Sequence, residues 1–164
     1  MTRRTGVGDP QGMHKIRPAT PDDALAVAQA HVRSWQVGYR GLIPDVVLDN
    51  LDPVRRAAQY SFDSRLPGPF TLVAHDAGTI CGHVTIGANH DDDLSRNAVA
   101  PHGEIWALYV DPARWGTGIG RMLIAAARAQ LVLAGYTDAV LWMLDGNTRA
   151  LRFYEHDGWV LDGA

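Results

Sequence analysis

The residues best placed to do chemistry lie together in one stretch, Val110-Asp111-Pro112-Ala113-Arg114-Trp115-Gly116-Thr117-Gly118-Ile119-Gly120-Arg121. From 116 to 120, every second residue is glycine. Glycine lacks Cβ, so it reaches backbone angles that other residues avoid and lets a ligand approach the main chain. An apolar run leads into the turn and an alanine-rich helical pattern leads out. A helix that starts there offers unpaired N–H groups and the positive end of its dipole. Strand, glycine turn and helix start together describe an anion site, most often one for phosphate.

The glycine spacing narrows the ligand. A nucleoside triphosphate loop ends in Gly-Lys-Ser or Gly-Lys-Thr, and Gly120-Arg121-Met122 rules that out. A dinucleotide fingerprint has two residues between its second and third glycines, whereas Ile119 alone separates Gly118 from Gly120. Another phosphate ligand, or a glycine turn with no ligand, both stay open on these residues alone. Two other groups carry reactive types. His75, Cys81 and His83 match no standard zinc spacing and lack a fourth ligand, so no metal is expected. His90-Asp91-Asp92-Asp93 could attract a cationic substrate, but a solvated acidic loop is the plainer reading.

The patterning then gives the elements that must position the turn. A short strand over 14–18 precedes Thr20-Pro21-Asp22-Asp23, a helix start with Thr20 as N-cap. Leu25, Ala28, Val32 and Trp35 recur at helical spacing, and Gly38 and Gly41 end that helix. Pro44-Asp45 opens a short helix, and Asp52-Pro53 another reaching about Phe62. Strands are expected over 70–74 and 79–87, with Ile80, Val84 and Ile86 on one face and Cys81, His83 and Thr85 on the other. A polar loop over 90–100 leads to a strand over 104–110 and then to the glycine turn. The next helix uses Ile119, Leu123, Ala126, Ala127 and Leu131, and stops at Gly135. An apolar strand over 139–144, a helix over 148–156 and a strand starting at Trp159 complete the order. The unit around the turn should be a right-handed parallel crossover. The fold class expected is α+β, a mixed, mostly antiparallel sheet flanked by helices.

The bulk properties exclude several classes. The chain has 164 residues, 46% of them hydrophobic and 20% charged, which suits one globular domain. Residues 1–13 are polar and glycine-rich and are expected to form a disordered leader, with a single domain over 14–164. The net charge is −3, which argues against a general nucleic-acid binder. No apolar run approaches a membrane span. With Cys81 as the single cysteine, no intrachain disulfide can form, and a cytoplasmic setting is expected.

A second constellation, Asn147-x-x-Ala150-x-x-Phe153-Tyr154-x-x-x-Gly158-Trp159, follows the strand after the glycine turn. With the element order, it resembles the GNAT acyltransferase superfamily, whose members use acetyl coenzyme A. The family motif Arg/Gln-x-x-Gly-x-Gly/Ala follows a strand ending in Val-x-Pro. Val110-Asp111-Pro112 and Trp115 to Gly120 match it, except that Trp115 stands where Arg or Gln is usual. The resemblance spans about 14–161.

It implies a cofactor site at Trp115, Gly116, Thr117, Gly118, Ile119, Gly120 and Arg121 for the pyrophosphate. It also implies that backbone groups of Leu108, Tyr109 and Val110, with Asn147, hold the pantetheine arm where the two flanking strands splay. Tyr154 matches the family tyrosine that gives the leaving thiolate its proton. Glu104 is the implied base, acting through a water. Trp35 and Tyr39 stand where the family builds a wall of the acceptor site. The implied reaction is direct transfer of acetyl from acetyl-CoA to a primary amine; the alternative is a catalytically silent CoA-binding module. The family adds a further strand after the one at Trp159, so the last strand is expected to be missing, and an open sheet edge points to a homodimer.

Overall fold

Alternating apolar residues in the middle of the chain build an antiparallel sheet, and two amphipathic helices cover its faces. The computed structural model describes residues 14–90 and 102–161. The strands are β1 (Lys15–Pro18), β2 (Phe70–Asp76), β3 (Thr79–Ala88), β4 (Gly103–Val110) and β5 (Ala139–Leu141). They form one sheet in the order β1-β2-β3-β4-β5, antiparallel except for the parallel β4/β5 pair. The β2–β3 hairpin turns on Ala77 and Gly78, both at positive φ, as a two-residue turn of this hand requires.

Before β2 run α1 (Ala24–Gly38), α2 (Asp45–Asp49) and α3 (Pro53–Ala57). The crossover helix α4 (Ile119–Leu133) joins β4 to β5, and α5 (Thr148–His156) follows. Thr20 begins the first helical turn as the sequence indicates: its N–H donates to the Asp23 carboxylate at 2.8 Å. On one face of the sheet, α4 buries Ile119, Leu123, Ile124, Ala127 and Leu131 against Leu72, Val84, Ile86 and Ile105. On the other, Val27 of α1 packs with Ala19, Val73 and Ile80. The expected α+β class and mixed sheet are the ones observed.

Several boundaries differ from expectation, each for a local reason. His75 pairs with Ile80 but Ala74 with Gly82, so Cys81 is an extra residue in β3. The bulge reverses the alternation. Ile80 joins the α1-side core and Cys81 the α4-side core with Val84 and Ile86; His83 stays on the α1 side. Leu25 lies 46% exposed, and α1 instead buries Val27, Ala30 and His31. Helix α3 ends at Ala57, well short of Phe62, which takes φ +53°. The strand expected over 139–144 keeps its pairing only to Leu141, and residues 159–161 are not a strand. The leader at 1–13 and most of the acidic loop at 90–93 fall outside the described residues.

Candidate active site

The glycine turn is held from three sides. The Asp111 carboxylate accepts from the Ala113 N–H at 3.0 Å and from Arg33 of α1 at 2.8 Å. Arg114 reaches Asp76 of β2 at 3.3 Å. The Thr117 hydroxyl donates to the Arg114 carbonyl at 2.6 Å. Gly118, at φ +89°, caps α4 in the left-handed region that side chains disfavour. The first helical bond runs from Met122 N–H to Gly118 carbonyl at 3.1 Å. The N–H groups just before Met122 therefore have no partner within the helix. A Cβ on Gly120 would meet the Phe153 ring at 3.2 Å, so this glycine permits α4 and α5 to touch.

Beside the turn, the sheet opens. β4 and β5 pair only from Gly103↔Ala139 to Ile105↔Leu141. At the same level β4 carries a second bulge: Thr85 pairs with Ala107 but Ile86 with Ile105, leaving Trp106 extra. Beyond it, Asp111 N–H donates to the Cys81 carbonyl at 2.8 Å, which makes Gly82/Val110 a non-hydrogen-bonded pair. By alternation Val84/Leu108 is another. The backbone polar groups of Leu108 and Val110 thus point away from β3, toward the open edge, while those of Tyr109 are engaged with His83.

A cavity of about 620 Å³ runs along this opening. Leu108, Tyr109 and Val110, all of 115–121, Asn147, Tyr154 and Tyr39 line it. Among the described residues its charged lining is Arg114, Arg121 and Arg149, with no carboxylate. The Asn147 Oδ1 caps α5 by accepting the Ala150 N–H at 3.1 Å. Tyr154 is packed against Phe153 and Trp159, with ring centroids at 5.2 and 6.3 Å. Burial, with Tyr109 nearby, pushes its phenol well above the ordinary tyrosine value, so it holds its proton at neutral pH.

Two expected site residues do not reach the cavity. Glu104 is 8% exposed. Its carboxylate accepts the His90 backbone N–H at 3.1 Å and lies 3.4 Å from His90 Nδ1. The His90 ring lies tilted against Trp106 with centroids 4.0 Å apart, and Trp106 does line the cavity. Trp35 sits behind the wall, edge-on to Tyr39 and Tyr109 at 5.0 and 6.1 Å.

Beneath that wall lies a layer of neutral histidines. Arg56 Nη2 is 2.8 Å from His31 Nε2, and a guanidinium only donates, so Nε2 accepts. The ring proton is then on Nδ1, which donates to the Tyr60 oxygen at 3.0 Å. Burial first, then His83 and Arg56, pushes His31 down to about 2. Burial and Arg56 push His83 down to about 3.

Trp115 and Arg149 form a pair that the motif does not contain. The Trp115 indole N–H donates to the Val110 carbonyl at 2.8 Å, and its backbone N–H donates to Pro112 at 3.2 Å. The Arg149 guanidinium carbon lies 3.1 Å from the centroid of the Trp115 ring. The sequence does not single out Arg149, because it falls at an unspecified position of the second constellation. The available signal was a cation in the first turn of a helix, where the dipole favours acids. Among the described residues no group of three or more His, Cys, Asp or Glu is placed to hold a metal ion, and no helix is long and apolar enough to cross a membrane.

A mixed sheet split beside a glycine-capped helix is the arrangement that the resemblance to acyl-CoA-dependent transferases implies, and the comparisons with known proteins agree. The acetyltransferase (GNAT) family matches residues 27–159. The uncharacterized N-acetyltransferase YuaI of Bacillus subtilis is 28% identical over 143 residues, covering 87% of this chain and 78% of that protein. A mycothiol acetyltransferase of Thermobispora bispora is 35% identical over 114 residues, covering 68% of this chain but 36% of that protein. The chain thus spans about a third of such mycothiol acetyltransferases. In fold, it is similar to the PaiA N-acetyltransferase of Thermoplasma acidophilum in complex with coenzyme A, with TM-score 0.72, 17% identity and coverage of 93% and 92%. An aminoglycoside N-acetyltransferase in complex with CoA gives TM-score 0.69 at 16% identity, with coverage of 93% and 91%. The chain belongs to the GNAT acetyltransferase family.

Proposed function

We propose that this protein moves an acetyl group from acetyl-CoA directly to a primary amine. One observation carries the reading. The cavity, lined among the described residues by arginines and no carboxylate, runs from the free N–H groups of α4, along the outward-facing backbone of Leu108 and Val110, to the partly buried Tyr154 phenol. These features suit coenzyme A: a pyrophosphate needs N–H donors and cations, and an amide-bearing arm can bond to an open strand edge. When bound, the cofactor supplies an acetyl thioester. The α4 start and residues 116–121 anchor its phosphates, with Trp115 beside them. The Leu108 and Val110 N–H groups, aimed at the opening, stabilise negative charge on a carbonyl placed there. Tyr154 keeps a proton for the departing thiolate. Glu104, one residue from the lining of the cavity, takes the amine's proton through water, with His90 at its carboxylate. Tyr39, with Trp35 behind it, forms the acceptor wall.

Similarity to mycothiol acetyltransferases makes small-molecule amines the first acceptors to screen. An acceptor panel with acetyl-CoA, read by thiol release, tests the reading; acetylation of at least one amine is expected. The alternative is a catalytically silent CoA-binding module, favoured by the engagement of the Glu104 carboxylate with His90 outside the cavity lining. Tight CoA binding with no acceptor across a broad panel would establish that instead. We also propose the cytoplasm as its site of action, in keeping with the buried free thiol of Cys81. Exposed Trp142, Val160 and Leu161 support a homodimer, which size-exclusion at high concentration checks.

A further inference from the structure

Arg149 is a cation placed where the fold itself gains little from it. It sits in the first turn of α5, at the positive end of that helix dipole. Arg149 is exposed to solvent, yet partial desolvation lowers its pKa from the usual arginine value, and among the described residues it has no carboxylate partner. Of the two other cavity arginines, Arg114 is by contrast tied to Asp76, and Arg121 lies in the first turn of α4 on the glycine-turn side. What holds Arg149 is the face of Trp115, at 3.1 Å. Trp115 is itself fixed by its indole bond to Val110. Both of its N–H groups are engaged inside the protein, so it offers no donor to an anion. The motif position that usually carries Arg or Gln is thus a platform, and the cation comes from the opposite wall of the cleft. A guanidinium presents flat N–H edges to an anion while its face stays stacked, and Lys cannot do both.

Resting on the proposed cofactor, we propose that Arg149, stacked on Trp115, binds a phosphate of coenzyme A and closes the phosphate site from the α5 side. The α4 start and Arg149 then grip the cofactor between them, across the split of the sheet. The chemistry needed is a phosphate dianion or diester, and coenzyme A offers two sources: its pyrophosphate and its 3′-phosphate.

Titration calorimetry on the full chain tests this, with CoA and dephospho-CoA as ligands and the apo protein's thermal unfolding beside it. Arg149→Met keeps the apolar stem and removes the charge. Its CoA affinity should fall about 10- to 100-fold, the range for a charge-assisted bond. Its apo Tm should stay level, because the exposed guanidinium makes no ion pair in the fold. Arg149→Lys should lose most of the affinity too, since it cannot stack and bond edge-on together. A penalty that persists on dephospho-CoA assigns Arg149 to the pyrophosphate; one that disappears assigns it to the 3′-phosphate. Unchanged CoA affinity in Arg149→Met overturns the inference. So does a lowered apo Tm with full affinity restored at lower temperature, which marks a structural role. If the unsubstituted protein fails to bind CoA, the functional reading falls first, and this inference falls with it.

Discussion

Tyr154 and the histidines behind the acceptor wall show how burial sets residue chemistry here. The Tyr154 phenol is held protonated by its surroundings, which suits a donor and not a base. Tyr154→Phe keeps the ring packing and deletes only that proton. Its kcat should fall about 100-fold or more, within the usual range for a general acid, with CoA affinity nearly unchanged. Unchanged kcat on a validated acceptor would remove Tyr154 from the chemistry. His31 and His83 are neutral in the fold, pushed down to about 2 and about 3 from an ordinary value near 6.5. The unfolded chain therefore takes up protons near 6.5 that the fold refuses. Stability should be full above pH ~6.5 and drop as pH falls below it, by about 1.4 kcal/mol per pH unit for each ring. Asp23, held at about 2 by its bond to Arg17, loses its contribution only below about pH 4 and does not act in that window. Urea unfolding at pH 7.5 and 5.0 checks this, and equal stabilities would show that the rings can charge in place. At this scale Tyr39 was legible through the resemblance, which sets it in the acceptor wall, and it lines the cavity. Arg149 was not, because its stack on Trp115 joins residues from opposite sides of the cleft.

At the scale of elements, the turn-to-helix unit and the bulges decide the site. Gly118 supplies a left-handed cap with open space where a Cβ would go, so the cost of Gly118→Ala is conformational alone. It should destabilise the protein by about 1–2 kcal/mol and weaken CoA binding, because the start of α4 shifts. Denaturant unfolding with an unchanged slope reads the first effect and calorimetry the second; a neutral outcome in both would mean that the cap tolerates another backbone. The glycine turn and its helix were readable because glycine spacing and apolar periodicity are local signals. The bulges at Cys81 and Trp106 were not. Both segments read as unbroken strands, and the extra residue exists only relative to a partner strand. The Trp106 bulge lies where β5 leaves β4, so the feature that opens the cleft was the one hidden from the sequence.

The whole molecule is divided by that opening. β1 to β4 form a continuous antiparallel platform, whereas β5 joins it over three residues, and α5 is tied back by the packing of Phe153 and Tyr154 and by the Arg128–Asp157 pair at 2.6 Å. A segment with so little strand pairing should open more readily than the platform. A ligand gripping the start of α4 and Arg149 together would bridge the two parts, and binding to the folded state alone stabilises it by mass action. At CoA a hundredfold above Kd, unfolding should require about 2.7 kcal/mol more. The distribution of that gain is the sharper measurement. In hydrogen exchange, amides of 142–154 and 115–121 should be fastest among the core elements in the free protein and slow most on adding CoA. Those of β1 and β2 should change little. Uniform slowing over the chain would mean that the molecule opens as one unit, and that the cofactor stabilises the fold without joining two parts of it.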